Sequence, residues 1–171
     1  LAYSEEASKS AKNADAREFE IQTANLLTKE LEFKGMRLGD SNRPDVIISY
    51  GQYGTIIDTK SYKNGFSVDK SCADEMARYI IHNNNRIANV PANEWWKNFD
   101  DKANTFSFLF VTSFLTGKFE DNLKEIAANT STNGGAINIE NLLKISDNLK
   151  GKTMEYEDFF KLFDNKEILA A

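Results

Sequence analysis

Two aspartates and a lysine stand where two short apolar segments of the sequence would meet. Asp45 follows Pro44 at the start of the first segment, and Asp58 and Lys60 stand at the end of the second. If the segments pair as antiparallel strands, the start of one lies beside the end of the other, so the two carboxylates converge. Because side chains alternate along a strand, Lys60 points to the same face as Asp58.

Such a group of side chains has the equipment for hydrolysis of a phosphodiester. Two carboxylates with no histidine or thiolate beside them form a hard oxygen site that suits Mg²⁺. A lysine at the same place can orient or help to deprotonate an attacking water, and it can stabilise charge on a phosphate. The pattern therefore indicates metal-assisted hydrolysis.

A simpler interpretation of the same residues is structural. An aspartate and a lysine two residues apart on a strand often form a surface ion pair, worth about 0–1 kcal/mol, and Pro-Asp is common in turns. The position of Asp58 favours the functional interpretation, because it follows the apolar run 55–57. An unpaired carboxylate at the end of a buried strand is costly unless a cation or a partner satisfies it.

The rest of the chain alternates between helical and strand patterns, which predicts an α/β fold. The predicted strands 46–48 and 55–59 form a hairpin, and the apolar segment 106–111 is typical of a central strand buried on both faces. Together the elements predict a three-layer α/β/α architecture around a central mixed β-sheet. The other predicted elements are helices over 15–33 (stopping near Gly35), 70–83, 119–128, 142–149 and 153–163, and a strand over 136–139.

The composition of the chain limits the kinds of catalytic and metal sites that it can form. The chain has 171 residues and a formal net charge of −5, with Cys72 as its only cysteine and His82 as its only histidine. These counts exclude an internal disulfide and a cysteine-based zinc site, and they argue against histidine-rich metal sites and Ser-His-Asp catalysis. No apolar run approaches 18 residues, which argues against a membrane-spanning helix and a membrane partner. The acidic balance argues against a stand-alone nucleic-acid binder, but not against a nuclease module that another domain carries to DNA.

Domain organisation is predicted from the polar N-terminal segment. Residues 1–14 are interpreted as a lead-in segment or the end of a linker, and residues 15–171 as one globular domain. The chain begins with Leu1 rather than methionine, which indicates a piece of a longer chain.

Several blocks of the sequence resemble one nuclease family. Pro44-Asp45 with Asp58-Thr59-Lys60 is the pattern of the PD-(D/E)XK nuclease superfamily. The order and approximate spacing of five longer blocks resemble the cleavage domain of the FokI-like type IIS restriction endonucleases, from about Arg17 to near the C-terminus. These blocks are LGDSNRPD (38–45), IDTKSY (57–62), ADEMARY (73–79), NEWWK (93–97) and FLFV (108–111).

The resemblance implies a restriction-endonuclease-like fold and a sequence-nonspecific DNA cleavage module over residues 15–171. Such a module works with Mg²⁺ on double-stranded DNA, leaves 5′-phosphate and 3′-hydroxyl ends, and pairs into a transient homodimer to cut both strands. It is normally fused to an upstream DNA-recognition domain in a bacterial, cytoplasmic enzyme. The alternatives are a nickase or branched-DNA nuclease of the same superfamily, and a catalytically silent module for dimerisation or DNA docking.

The resemblance also implies roles for individual residues. Asp45 and Asp58 match the metal-binding carboxylates, Lys60 matches the catalytic lysine, and the backbone carbonyl of Thr59 matches a further metal ligand. Glu20 stands on the first helix, where many members of the superfamily place an accessory acid. Its alternative interpretation is an ordinary solvated glutamate.

Three further residues are assigned by the same resemblance. Asp74 and Arg78 match the dimerisation helix, where each Asp74 would face Arg78 of the other subunit. The alternative is an ion pair within one helix, since the two residues are four apart, worth roughly 0.3 kcal/mol. Arg43 is a candidate DNA contact, although the family has two basic residues where this chain has Asn42 and Arg43.

The adjacent Trp95 and Trp96 admit two interpretations. Tryptophans can stack on nucleic-acid bases, which would place this pair at a DNA interface. Two tryptophans after a proline-containing loop more often fill a hydrophobic core, and this interpretation is favoured.

Overall fold

The computed structural model describes residues 2–39, 42–62, 64–87 and 94–171, with side chains described from Ala14 onward. Asp40, Ser41 and Asn93, which belong to the blocks quoted above, lie outside the described residues. The strands are β1 (Lys34–Arg37), β2 (Val46–Tyr50), β3 (Tyr53–Lys60), β4 (Thr105–Thr112), β5 (Gly134–Asn138) and β6 (Lys166–Glu167). The α-helices are α1 (Ala2–Asn25), α2 (Lys70–Asn85), α3 (Glu120–Thr130), α4 (Ile139–Lys150) and α5 (Tyr156–Phe160), with a π-helical turn at Leu26–Glu30 and a 3₁₀ turn at Trp95–Asn98.

The six strands form one mixed sheet in chain order. β1, β2 and β3 are antiparallel, whereas β3, β4, β5 and β6 run parallel. Helical connections lead into β4, β5 and β6, as parallel neighbours require. The predicted hairpin of the first two apolar segments is confirmed as β2 and β3, which pair with Val46 opposite Ile57.

Both faces of the sheet are buried, which explains the continuous apolar runs in β3 and β4. Ile56 joins one hydrophobic cluster with Phe108 of β4 and residues of α2 and α3. Its neighbour Ile57 points to the other face, where Leu109 and residues of α1, α4 and α5 form a second cluster. The predicted three-layer α/β/α architecture with a central strand at β4 is therefore confirmed.

The predicted stop of the first helix at Gly35 is wrong. The α-helix ends at Asn25, a π-helical turn follows, and Gly35 lies in β1 opposite Ile48, in a strand that the sequence did not predict. A Cβ at Gly35 would stand 2.1 Å from the carbonyl oxygen of Ile47. Glycine is therefore required here by the close approach of two strands and not by a helix end.

Two other features differ from the expected pattern. The two-residue strand β6 was not predicted, and α5 spans only five of the residues predicted as helix over 153–163. α1 runs without interruption across residue 14, where a domain boundary was predicted. That boundary stays a prediction.

In the part of the chain that the structure describes, no helix is long and apolar enough to cross a membrane.

Candidate active site

The β2–β3 hairpin brings the two predicted aspartates together. The register of Val46 opposite Ile57 places Asp45, one residue earlier, beside Asp58, one residue later. Asp45 Oδ2 accepts hydrogen bonds from the backbone N–H of Thr59 at 2.7 Å and from Thr59 Oγ1 at 2.9 Å. These two bonds fix the orientation of the Asp45 carboxylate toward the end of β3.

Asp58 is a buried carboxylate beside a second one. The residue is only 4% exposed. Burial is the main cause that raises its pKa well above the ordinary value, and the negative charge of Asp45 raises it further. The Lys60 ammonium opposes this shift, since Nζ lies 2.7 Å from Asp58 Oδ2. The site thus holds negative charges that repel each other, an arrangement that a bound cation would relieve.

Lys60 carries its charge in this environment. Burial alone would lower its pKa, but the Asp58 carboxylate outweighs burial and raises it. A second carboxylate, Glu75 Oε1 of α2, stands 3.9 Å from Lys60 Nζ. Lys60 is therefore an ammonium held toward the acidic centre.

Glu20 reaches the same place from α1. Its side chain is 15% exposed and its Oε1 lies 2.7 Å from Arg37 Nε of β1, so it is not the solvated glutamate of the alternative interpretation. Burial raises the pKa of Glu20, and the charge of Asp45 raises it further. The two carboxylates line the same groove. Arg37 was missed by sequence reasoning because β1 was not predicted and no local signal links the residue to Glu20.

One open groove contains all these groups. Five basic and four acidic side chains line it among the described residues, in contrast to the net negative charge of the whole chain. The groove therefore combines carboxylates, which can hold a hard cation, with basic side chains, which can contact a phosphate backbone. The charged lining residues are Arg17, Glu20, Arg37, Arg43, Asp45, Asp58, Lys60, Glu75 and Arg78.

The oxygen ligands at this site fit a hard divalent cation whose coordination is completed by water and by phosphates of the substrate. No cluster of three or more acidic, histidine or cysteine side chains forms a cation cage within the described residues. Mg²⁺ does not need such a cage, because it is commonly held by one or two carboxylates, water and substrate phosphates. Asp45 and Asp58 are the two carboxylates available for such an ion.

Of the other predicted residues, Arg43 and Arg78 line the groove, whereas Asp74 is not among its lining residues. Arg43 lines the groove, and its Nε donates to the Gly39 carbonyl at 2.6 Å. Asp74 and Arg78 are exposed on α2 and pair with neighbours rather than with each other: Lys70 Nζ lies 3.0 Å from Asp74 Oδ1, and Arg78 Nη2 lies 3.9 Å from Glu75 Oε2.

Trp95 and Trp96 lie in the hydrophobic core. Both are almost fully buried, and Trp95 makes edge contacts with Trp96, Tyr79 and Phe99. The favoured interpretation as core residues is confirmed, and neither ring is available for stacking on a base.

Comparison with known proteins identifies relatives of the same architecture. The family model described as FokI, cleavage domain, matches residues 1–169. The chain is 33% identical over 156 residues to the type II restriction enzyme FokI of Planomicrobium okeanokoites, an alignment that covers 89% of this chain and 27% of FokI. It is 29% identical over 153 residues to the type II restriction enzyme StsI of Streptococcus sanguinis, covering 90% of this chain and 25% of StsI.

The solved structures of FokI agree with these alignments. One structure of the restriction endonuclease FokI superposes with a TM-score of 0.87 at 32% identity, covering 91% of this chain and 29% of FokI. FokI bound to DNA gives a TM-score of 0.86 at the same identity, covering 91% of this chain and 28% of FokI. The chain thus spans about a quarter of the length of the curated relatives it matches. By the match of the family model over nearly its whole length, this chain belongs to the FokI cleavage domain family.

Proposed function

We propose that this chain is the DNA cleavage module of a type IIS restriction endonuclease and hydrolyses phosphodiester bonds without sequence preference. The observation that carries the proposal is the convergence of the Asp45 and Asp58 carboxylates with the Lys60 ammonium in one groove. Membership of the family supports DNA cleavage, and the superposition on DNA-bound FokI supports DNA as the substrate.

Asp45, Asp58 and the backbone carbonyl of Thr59 would hold Mg²⁺. When bound, the ion supplies Lewis-acid activation of water and neutralisation of phosphate charge. The Thr59 side chain and N–H keep the Asp45 carboxylate in position. Two carboxylates that repel each other are a favourable place for a divalent cation, and this repulsion supports the assignment.

Lys60 would act as a fixed positive charge. Its pKa is raised by Asp58, which favours the ammonium form at neutral pH. As an ammonium it orients the attacking water and stabilises the charge that develops on the scissile phosphate. Glu20 is an accessory acid in this arrangement, positioned by Arg37, and Arg43 is a DNA contact in the lining of the groove.

Cleavage of both strands requires a second active site. Asp74 and Arg78 are exposed on α2, and a two-fold axis would pair each with the opposite residue of a second copy. The module would be fused to an upstream recognition domain and would be active only as a transient homodimer. Its nuclease activity would therefore be restrained until two copies meet on DNA. The products would carry 5′-phosphate and 3′-hydroxyl ends.

The test is cleavage of a supercoiled plasmid at high protein concentration and low salt. We expect linear DNA with Mg²⁺ and none with EDTA, and a rate that rises more than linearly with protein concentration. Ligation of the ends by DNA ligase without kinase treatment would verify the 5′-phosphate. The matched variants are Asp58→Ala, which should abolish cleavage, and Asp147→Ala, which removes an exposed aspartate of α4 and should not change it.

Other outcomes would change the assignment. Nicked circles without linear product would favour a nickase of the same superfamily. If no cleavage occurred at any concentration, even after fusion to an unrelated DNA-binding domain, the chain would be a catalytically silent module. Products with 3′-phosphate ends would contradict the proposed hydrolysis.

A further inference from the structure

An exposed tyrosine stands on top of an aromatic stack that begins in the core. Phe110 of β4 packs on Phe66 with ring centroids 5.9 Å apart, and Phe66 lies parallel to Tyr62 at 5.6 Å and 10°. Phe66 and Phe110 are buried, whereas Tyr62 is 50% exposed. The Tyr62 ring is therefore held in a fixed orientation at the surface, two residues beyond Lys60.

A second exposed aromatic ring lies on the adjacent loop. Phe114 is 43% exposed and packs against Gly65, where an added Cβ would stand 2.5 Å from Phe114 Cε2. Hydrogen bonds tie the two loops together: the N–H of Phe66 donates to the Phe114 carbonyl at 2.9 Å, and Ser113 Oγ donates to the Tyr62 carbonyl at 3.2 Å. Tyr62 and Phe114 also line the same groove, and we call the surface that they form there the aromatic platform.

The aromatic platform borders the candidate active site. The groove that it lines also contains Ala16, Thr59 and Lys60, and these three residues line the catalytic groove as well. Lys60 and Asp15 are the only charged side chains among the described residues of the platform groove. Their opposite charges give this surface no electrostatic preference for phosphate, so its chemistry suits a neutral, planar group.

We propose that the aromatic platform binds an unstacked base of the nucleotide next to the scissile phosphate. Every base offers a flat face to an aromatic ring, so stacking positions DNA without reading its sequence. In this proposal Tyr62 and Phe114 orient the DNA by contact with the base, whereas the carboxylates and Lys60 act at the phosphate. This inference rests on the proposed function, which identifies DNA as the ligand. A DNA phosphate bound at Lys60 would bring the neighbouring base to Tyr62.

The test is binding of a fluorescein-labelled single-stranded oligonucleotide of about 12 nucleotides in EDTA at low salt. We expect wild-type protein to bind with a Kd below about 100 µM, within the range of nonspecific contacts. Tyr62→Leu, which still covers Phe66, should weaken binding about 5- to 150-fold, the contribution of stacking one base. Tyr62→Phe should restore it to within about twofold.

Two controls separate stacking from loss of structure and from the proposed hydrolysis. Tyr50→Leu removes another exposed tyrosine, at the opposite end of the sheet, and should leave binding unchanged. Unchanged binding by Tyr62→Leu, an equal loss in Tyr62→Phe, or no binding by the wild type would overturn the aromatic platform, whatever the cleavage result. Binding that depends on Tyr62 in a protein that does not cleave would support the aromatic platform and contradict the hydrolase.

Discussion

The two ends of β3 differ in almost every physical property. At its start, which we call the tyrosine end, Tyr53 stacks on Phe160 of α5 with centroids 4.9 Å apart and rings 6° from parallel. Phe33 and Tyr156 extend the same aromatic packing. At its other end, which we call the lysine end, Asp58 and Lys60 lie together with the Asp45 carboxylate in an open groove.

We interpret this difference as a separation between residues that stabilise the fold and residues that the proposed function assigns to catalysis. The tyrosine end buries aromatic area without charge, which stabilises the folded state. The lysine end buries a carboxylate whose pKa is raised by burial and by Asp45, and such charges cost free energy in the absence of a ligand. Proteins retain such an arrangement where binding or catalysis requires it.

The largest expected change of stability comes from the tyrosine end. Phe160→Ala should lower the free energy of unfolding by about 3–5 kcal/mol, because the side chain is buried and packs on Phe33, Tyr53, Phe159 and Phe163. Urea denaturation measures this loss, and Phe160→Leu should cost less than half as much. Cleavage per folded molecule should stay the same; a selective loss of cleavage would remove the distinction between the two ends.

The lysine end should show the reverse behaviour. Lys60→Met should lower the rate of plasmid cleavage about 10²- to 10³-fold, the usual effect of removing one group that stabilises charge in the transition state. Methionine is an unbranched side chain of similar length, so circular dichroism should show a folded protein. Lys144→Met, at an exposed lysine of α4, is the control; equal rates for both variants would mean that Lys60 has no catalytic role.

A smaller effect on stability is expected at the start of α2. Asp69 caps this helix by accepting a hydrogen bond from the Cys72 N–H at 2.9 Å, and that bond lowers the pKa of Asp69. Asp69→Ala should reduce stability by about 1 kcal/mol at pH 7, and Asp69→Asn by less. The pKa of Asp69 is lower in the folded state than in the unfolded state. The stability that the charged Asp69 contributes is therefore fully present above the unfolded pKa, about 3.9, and is lost as the pH falls through the folded pKa.

Urea denaturation of wild type and Asp69→Ala at pH 7 and near pH 3 measures this pH dependence. The gap between the two proteins should narrow at the lower pH. A gap that widened on acidification would contradict the sign given to the Asp69 pKa shift.

Local features of the sequence were sufficient to predict the lysine end. Asp45, Asp58 and Lys60 are joined by a short hairpin, so the alternation and register of two strands fix their proximity. The core role of Trp95 and Trp96 was predicted from similar local reasoning. By contrast, β1 contains no β-branched residue, and its glycine was interpreted as a helix stop.

Long-range contacts were not predictable from one sequence. The ion pair of Glu20 with Arg37 joins a helix to an edge strand. Tyr62 and Phe114 are 52 positions apart in the chain, and nothing in the local pattern of either residue indicates that their loops meet. Such pairings depend on how the layers pack, which periodicity does not encode.

The most direct test of the central claim is the rate of plasmid cleavage by Asp45→Asn with Mg²⁺. The asparagine side-chain oxygen can still accept the two hydrogen bonds from Thr59, and loss of the charge relieves repulsion of Asp58 and Glu20. We predict a protein that is folded and unfolds at the same or a higher temperature than wild type, with cleavage reduced roughly 10³-fold or more. Cleavage within about tenfold of the wild-type rate would contradict the assignment of this end of β3 as the metal-dependent active site.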